Sequence, residues 1–261
     1  MTKIPKIIHQ IFFQGEAAAP KKYRRYHQTV LKNHPNWKHY FWDEEKSRNF
    51  LKEKYPWFLE TYDSYPYMIQ RCDAIRYFIL DYYGGFYIDM DVECLKPLDS
   101  LLEEFELILS KLIDFNNAII GSIPNHPLWL QVFDELQRRK DNQPVSNNKK
   151  QQKSMPYYVC YSTGPMLLND CVLAGKFEKN STTRICPGYI FEPGAPMEID
   201  GKIIKKNSTK NSYTIHHMAT YWLPLHHRIA NSIFGFFANI YWEIRKEFPR
   251  ITTNKKQANN H

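Results

Sequence analysis

The sequence predicts an α/β chain built on a mostly parallel central sheet flanked by helices, and three observations carry that expectation. Apolar runs rich in β-formers alternate with helical patterns through the first half of the chain, the order that parallel strands with crossover helices require. A segment with helical apolar spacing, residues 68–83, stops at a Gly-Gly pair. The run "FYIDMDVECL" (86–95) then begins at once, with a strand-like composition interrupted by two aspartates two positions apart. With 261 residues, 43% hydrophobic and 15% aromatic, the chain can bury a full core, and one domain over residues 1–245 is expected ahead of a basic tail at 246–261.

Taken in order, "KIIHQIFF" (6–13) reads as the first strand and "WKHYFWD" (37–43) as the second. The polar stretch between them can hold a helix, giving a β-α-β opening. Residues 44–62 are charged and helical in pattern, closing around "YPWF". In "MIQRCDAIRYFILDYY" (68–83), Ile69, Cys72, Ile75, Ile79 and Tyr83 recur at three-and-four spacing and make one helix face. After the strand at 86–95, "ELILS" and "NAIIGSI" read as further short strands and 127–140 as an amphipathic helix, followed by a Pro- and Asn-rich loop. The last third reads as loop-rich up to "RIANSIFGFFANIYWEIRKEF", an apolar helix candidate.

Composition narrows the function. The net charge is +8, but the densest basic runs, "NNKKQQK" (147–153) and the tail, have the make-up of solvated loops, which argues against nucleic acid as a partner. Five cysteines without CxxC spacing fit neither a disulfide framework nor a zinc site, so a reducing, cytoplasmic setting is expected. No signal peptide or run of about 18 apolar residues is seen. The C-terminal apolar segment, with Arg228 before it and Lys246 and Arg250 after, has two readings: a last core helix, or a peripheral contact with a membrane interface.

The chemistry lies around the two aspartates. If 86–95 is one strand, Phe86, Ile88, Met90 and Val92 face one side and Tyr87, Asp89, Asp91 and Glu93 the other. Carboxylates at i and i+2 then stand about 7 Å apart, near enough to work on one hard divalent cation such as Mg²⁺ or Mn²⁺, whose remaining positions are commonly filled by substrate phosphates. A metal-diphosphate site is the expectation. Asp73 and Arg76 lie three apart on the preceding helix. They read either as an ordinary exposed ion pair or as a pair folded back beside the acids, with Arg76 toward anionic phosphate and Asp73 accepting from a hydroxyl.

The stretch "RCDAIRYFILDYYGGFYIDMDVECLKPLD" closely resembles the DXD-containing sugar-binding region of glycosyltransferase family 32. That family includes initiation-type α-1,6-mannosyltransferases, inositol-phosphoceramide mannosyltransferase subunits and capsular-polysaccharide transferases. Further matches are "IPKIIHQIFFQG" with the family's first strand, "NHPNWKHYFWD" with its second, "STGP" (162–165) with a later loop and "HHMATYW" (216–222) with its closing element. The resemblance implies a GT-A fold with the DXD at the end of a central strand, a nucleotide-sugar half at about 1–110 and an acceptor-side half at about 111–245. It also implies a UDP- or GDP-sugar donor, Mn²⁺ or Mg²⁺, a glycan, glycolipid or protein acceptor, and retention of anomeric configuration.

Carried over residue by residue, Asp91 is implied as the direct metal ligand and Asp89 as a contact to ribose, sugar or metal. With Arg76 they form the implied catalytic set. Gln10, Ile11, Phe12, Asp73, Tyr87, Thr163, Gly164 and Trp222 are implied around the donor, Phe12 standing where relatives usually carry Trp. His216 and His217 are implied as late metal or diphosphate ligands, with His217 preferred. Tyr221 replaces the Ser that relatives often carry before the closing Trp. No residue identifies itself as a covalent nucleophile, so front-face attack assisted by the leaving phosphate is the expected chemistry. A carboxylate or metal hydrolase and an inactive sugar-binding module are the alternatives.

Overall fold

The structure is a computed structural model that describes residues 4–102, 104–140, 155–200 and 202–218. The β-α-β opening forms as expected: β1 (Ile7–Ile11), α1 (Lys21–Asn33) and β2 (Lys38–Trp42), the two strands pairing parallel with Ile7 opposite Lys38 and Ile11 opposite Trp42. The Asp43 side chain accepts from the Lys46 backbone N–H at 2.8 Å and so starts α2 (Glu44–Lys54). The helical pattern over 44–62 closes around "YPWF": α2 ends just before Pro56, whose missing N–H and fixed ring end the ladder, and a 3-10 turn and α3 (Leu59–Ser64) follow.

Helix α4 (Met68–Tyr83) has the expected bounds. It is not one-faced, however: Asp73, Ala74, Ile75, Arg76, Tyr77, Phe78, Ile79 and Leu80 are all buried in succession. A helix enclosed on most sides is apolar most of the way round, so its buried charged members, Asp73, Arg76 and Asp81, stand out. Gly84 (φ +61) and Gly85 (φ +94) turn the chain into β3 (Gly85–Ile88). A Cβ on Gly85 would sit 2.5 Å from the Ile7 carbonyl oxygen, so only glycine lets β3 lie this close to β1 here.

The strand expected to run through residue 95 stops after Ile88. Residues 89–92 form a tight turn closed by the Val92 N–H donating to the Asp89 carbonyl at 3.1 Å, and β4 (Val92–Cys94) is a separate element. Alternation therefore holds only as far as Ile88: Phe86 and Ile88 enter one apolar cluster, Tyr87 the opposite one, and Met90 a third with Ala19, Tyr23 and Tyr26.

The remaining described elements are β5 (Leu107–Lys111), β6 (Phe115–Ser122), α5 (Leu128–Lys140), α6 (Met155–Ser162), α7 (Pro165–Ala174), β7 (Thr183–Pro187), β8 (Pro196–Ile199), β9 (Lys202–Lys205) and β10 (Thr214–His216). The last third, expected to be loop-rich, thus contains four short strands among its described residues. The central sheet has the order β2-β1-β3-β6-β5-β7, with β6 antiparallel to its neighbours and the other pairings parallel. β3 is central, and β10 pairs antiparallel with β4 in a separate two-stranded ribbon.

One apolar cluster fills the α4, α5 and α7 side of the sheet, where Phe78 stacks on Phe133 with centroids 4.1 Å apart. The other fills the α1 side around Val30, Trp37 and Phe86. Trp222, Tyr221, the C-terminal apolar segment, the basic tail and the 147–153 run lie outside the described residues. Among the described residues no helix is long and apolar enough to cross a membrane.

Candidate functional site

The DXD turn lies where β3 ends, at the C-terminal edge of a mostly parallel sheet, the edge at which α/β sheets gather their ligands. It opens onto a cleft of about 410 Å³ walled by β1, α4, β6, α6 and the end of β10. Three elements hold the turn. The Asp89 N–H donates to the Ala118 carbonyl of β6 at 2.9 Å, and the His217 N–H donates to the Asp91 carbonyl at 3.0 Å. The Tyr87 hydroxyl donates to Asp89 Oδ1.

β10 lies beside β4 with His216 opposite Val92, the last residue of the turn. That register places one ligand atom each from Asp89, Asp91 and His216 within 4.8 Å of one another. His216 Nε2 is 3.4 Å from Asp91 Oδ1, while Nδ1 is 2.9 Å from Glu192 Oε2. The neighbouring His217, preferred on sequence, points elsewhere: its ring stacks on Tyr26 with centroids 4.2 Å apart and its Nε2 is 3.1 Å from Glu93 Oε2. Successive residues of a strand face opposite ways, and the β10 register gives His216 to the aspartates.

Arg76 and Asp73 are not an exposed pair. Their side chains are 4% and 8% accessible and meet at 2.6 Å. Arg76 also donates to the Asn117 carbonyl at 2.8 Å, lies 3.6 Å from Asp89 Oδ1, and has its guanidinium 4.5 Å from the Tyr87 ring centroid. Burial opposes its charge, but Tyr87, Asp73 and Asp89 outweigh that and hold it cationic. Asp73 accepts from Asn117 Nδ2 at 3.2 Å. Burial pushes its carboxyl up to about 6, with Arg76 limiting the rise. Asp89 is raised as well, by burial first and by Asp91, against the pull of Arg76 and His216. His216 is pushed up to about 10 because hydrogen bonds to Asp91 and Glu192 overcome its burial.

The other sequence candidates fall into two groups. Ile11, Phe12, Asp73, Arg76, Tyr87, Asp89, Asp91 and His216 line the cleft. Gln10, Thr163 and Gly164 lie behind it. Gln10 is buried with its Oε1 2.6 Å from His27 Nδ1. Thr163 is buried and its carbonyl accepts from Tyr77 Oη at 3.0 Å. A Cβ on Gly164 would come 3.3 Å from Asp73 Oδ2 and 2.9 Å from the Cys160 Cα, so this glycine lets α6 close over Asp73.

Asn116, Asn117 and Glu192 belong to the site and are missing from the sequence-based set. The β5–β6 register shifts after Leu109: Leu109 pairs with Ile120, but Ser110 pairs with Asn116. The extra residues of this bulge bring two consecutive asparagines to the cleft. Two amides inside the apolar run "FNNAII" were the available signal.

The residues present suit a divalent cation. Two carboxylates and an imidazole converge, and Asp73, Asp89, Asp91 and Glu192 outnumber the cationic Arg76 and His216 around them.

Comparison with known proteins gives the family. The family model described as a glycosyltransferase sugar-binding region containing a DXD motif matches residues 20–107, which include Asp73, Arg76, Asp89 and Asp91. A mannosyl phosphorylinositol ceramide synthase of Saccharomyces cerevisiae is 38% identical over 195 residues, 71% of this chain and 47% of that protein. An uncharacterized glycosyltransferase of Acanthamoeba polyphaga mimivirus is 38% identical over 186 residues, 69% of this chain and 68% of that one. The chain thus spans about half the length of the yeast relative. Among solved structures, the glycosyltransferase domain of the YGT toxin superposes with a TM-score of 0.52 over 71% of this chain and 81% of that one, at 8% identity, a likeness of fold. The α/β architecture is that of GT-A glycosyltransferases, and the chain belongs to the family 32 glycosyltransferases, whose sugar-binding region contains the DXD motif.

Proposed function

We propose that this chain transfers a hexose from a UDP- or GDP-linked donor to a hydroxyl of a glycan or glycolipid, using a divalent cation and retaining the anomeric configuration. The observation that carries the proposal is the convergence of Asp89, Asp91 and His216 beside the buried Arg76 in one cleft. Asp89, Asp91 and His216 would hold the cation. An imidazole beside two carboxylates favours Mn²⁺ over Mg²⁺, which takes oxygen donors. When bound, that ion supplies Lewis-acid stabilisation of the leaving diphosphate.

The chain's own residues do the rest. Arg76 is held charged with its guanidinium fixed by Asp73, the Asn117 carbonyl and the Tyr87 face. It meets charge growing on the diphosphate without having to reorganise. Asp73, held in place by Asn117, offers a fixed acceptor for a sugar hydroxyl, and Phe12 and Ile11 offer an apolar surface for the base. Thr163 and Gly164 support Asp73 from behind. Asp73 is committed to Arg76 and Asn117, which supports attack from the face of the leaving phosphate over a covalent carboxylate intermediate. A glycolipid acceptor is supported by the resemblance to inositol phosphoceramide mannosyltransferases. Such an acceptor would suit a peripheral membrane contact by the C-terminal apolar segment.

Purified protein with Mn²⁺, a panel of UDP- and GDP-sugars and an acceptor mixture containing inositol-phosphoceramide tests the proposal through nucleoside diphosphate release. Release from one donor, matched by acceptor product and lost in Asp91→Ala and without metal, is expected. Free sugar in place of acceptor product would make the chain a hydrolase, and no release from folded protein would make it a sugar-binding module.

A further inference from the structure

The three groups at the candidate metal point come from different parts of the fold. Asp89 ends a strand of the central sheet, while His216 belongs to the β10–β4 ribbon, which shares no pairing with that sheet. Glu192 spans the gap. Its side chain is wholly buried, yet each of its oxygens has a partner. Oε1 accepts from Ser110 Oγ of β5 at 2.6 Å. Oε2 accepts from Asn116 Nδ2 of β6 and lies 2.9 Å from His216 Nδ1. The loop that carries it is sewn to the approach to β10 by the Tyr213 N–H on the Ile190 carbonyl at 2.7 Å and by Thr214 Oγ1 on the Phe191 carbonyl at 2.6 Å.

We propose that Glu192 is the positioning residue of the metal point: anchored to Ser110 and Asn116, it accepts the Nδ1 proton of His216 and so presents Nε2 to Asp89 and Asp91. The proposal rests on the reading of Asp89, Asp91 and His216 as cation ligands. A carboxylate can only accept from Nδ1, which keeps a proton on that nitrogen and fixes the ring plane, so Nε2 is the nitrogen that gives up its proton and offers a lone pair when a cation binds. A buried glutamate serving the loop alone would be satisfied by Ser110 and Asn116, yet Oε2 is shared with the histidine that faces Asp91.

The test measures Mn²⁺ binding to the full chain by calorimetry and by loss of the free-ion electron-resonance signal, together with the melting temperature in metal-free buffer. Glu192→Gln is expected to weaken Mn²⁺ binding about 10- to 100-fold. Ser110→Ala, which loosens the far end of Glu192 while leaving every candidate ligand in place, is expected to weaken it about threefold. Both should melt below the parent without metal, because a buried partner of the carboxylate network is lost, so affinity is compared on protein shown to be folded at the assay temperature. Parent-like affinity in both variants, with binding abolished by Asp91→Ala, would overturn the role of Glu192 and leave the metal reading standing. If Glu192→Gln does not fold, Ser110→Ala decides alone, and unchanged affinity overturns the proposal. Mn²⁺ binding that is absent in the parent would overturn the metal reading and this proposal with it.

Discussion

The two ends of β3 are both buried, and each has a histidine beside it, yet the histidines are driven in opposite directions. At the Gly84–Gly85 end, His9 is packed against Tyr40, Trp42 and Tyr83, and its Nε2 is 2.9 Å from the Gly84 carbonyl. Burial pulls its pKa down to about 3, so it stays neutral and serves the turn. At the Asp89–Asp91 end, His216 is nearly as enclosed but meets Asp91 and Glu192, and it is held charged. Depth alone therefore does not set the charge of a histidine; its partners do. One end of the strand uses burial to make a neutral hinge, and the other uses it to sharpen a charged site.

The comparison breaks most completely at the charged end. Asp91→Asn keeps the shape and removes a carboxylate from both the cation point and His216. Transfer activity is expected to fall about 1,000-fold with the fold intact, measured as donor turnover beside circular dichroism. Asp73→Ala strips Arg76 of its 2.6 Å partner inside the protein. It is expected to cost about 3–5 kcal/mol in denaturant unfolding, because the cation left behind stays buried. An equal loss in Asp73→Asn would show that charge, and not the lost contact, sets the cost.

The neutral end breaks through its backbone. Gly85→Ala forces φ near +94 on a side chain whose Cβ meets the Ile7 carbonyl, with an expected cost of about 1–3 kcal/mol in thermal or denaturant unfolding.

The finest test uses pH. Folded His9 binds fewer protons than the unfolded chain between about 3 and the ordinary 6.5. Its contribution is present above pH 6.5 and is lost as the pH falls through that window. It adds about 1.4 kcal/mol of slope per pH unit there, and His9→Gln should remove that slope from denaturant curves taken between pH 4 and 6.5. His27, His34 and His126, all lowered chiefly by burial, add in the same direction, whereas the carboxyls of Asp73, raised to about 6, and of Asp81 and Asp89 oppose it, so the difference between parent and His9→Gln isolates the His9 part.

Much of this frame was legible in the sequence because it is locally determined. The three-and-four spacing of residues 68–83, the Gly-Gly stop and the apolar runs of β1 and β2 each act over a few residues, and each element formed where the pattern placed it. The turn at Asp89 was not legible. The apolar alternation continues through Met90 and Val92, and it is the antiparallel pairing of β10 with β4 that separates β4 from β3. The choice between His216 and His217 depends on the same register. Asn116 and Asn117 reach the cleft together through a bulge defined by β5, and Glu192 finds its role only when β5, β6 and β10 surround it. Identities in one stretch do not encode partners from distant ones.

The pairing of β10 with β4 also has a consequence in time. β1, β3, β6 and their covering helices precede it in the chain, so an emerging polypeptide has made both aspartates and Arg76 well before His216 leaves the ribosome. A domain generally folds as a unit, so until β10 has emerged the acidic turn has no imidazole opposite it. The candidate cation site would then be completed as a late step of biogenesis, once β10 docks.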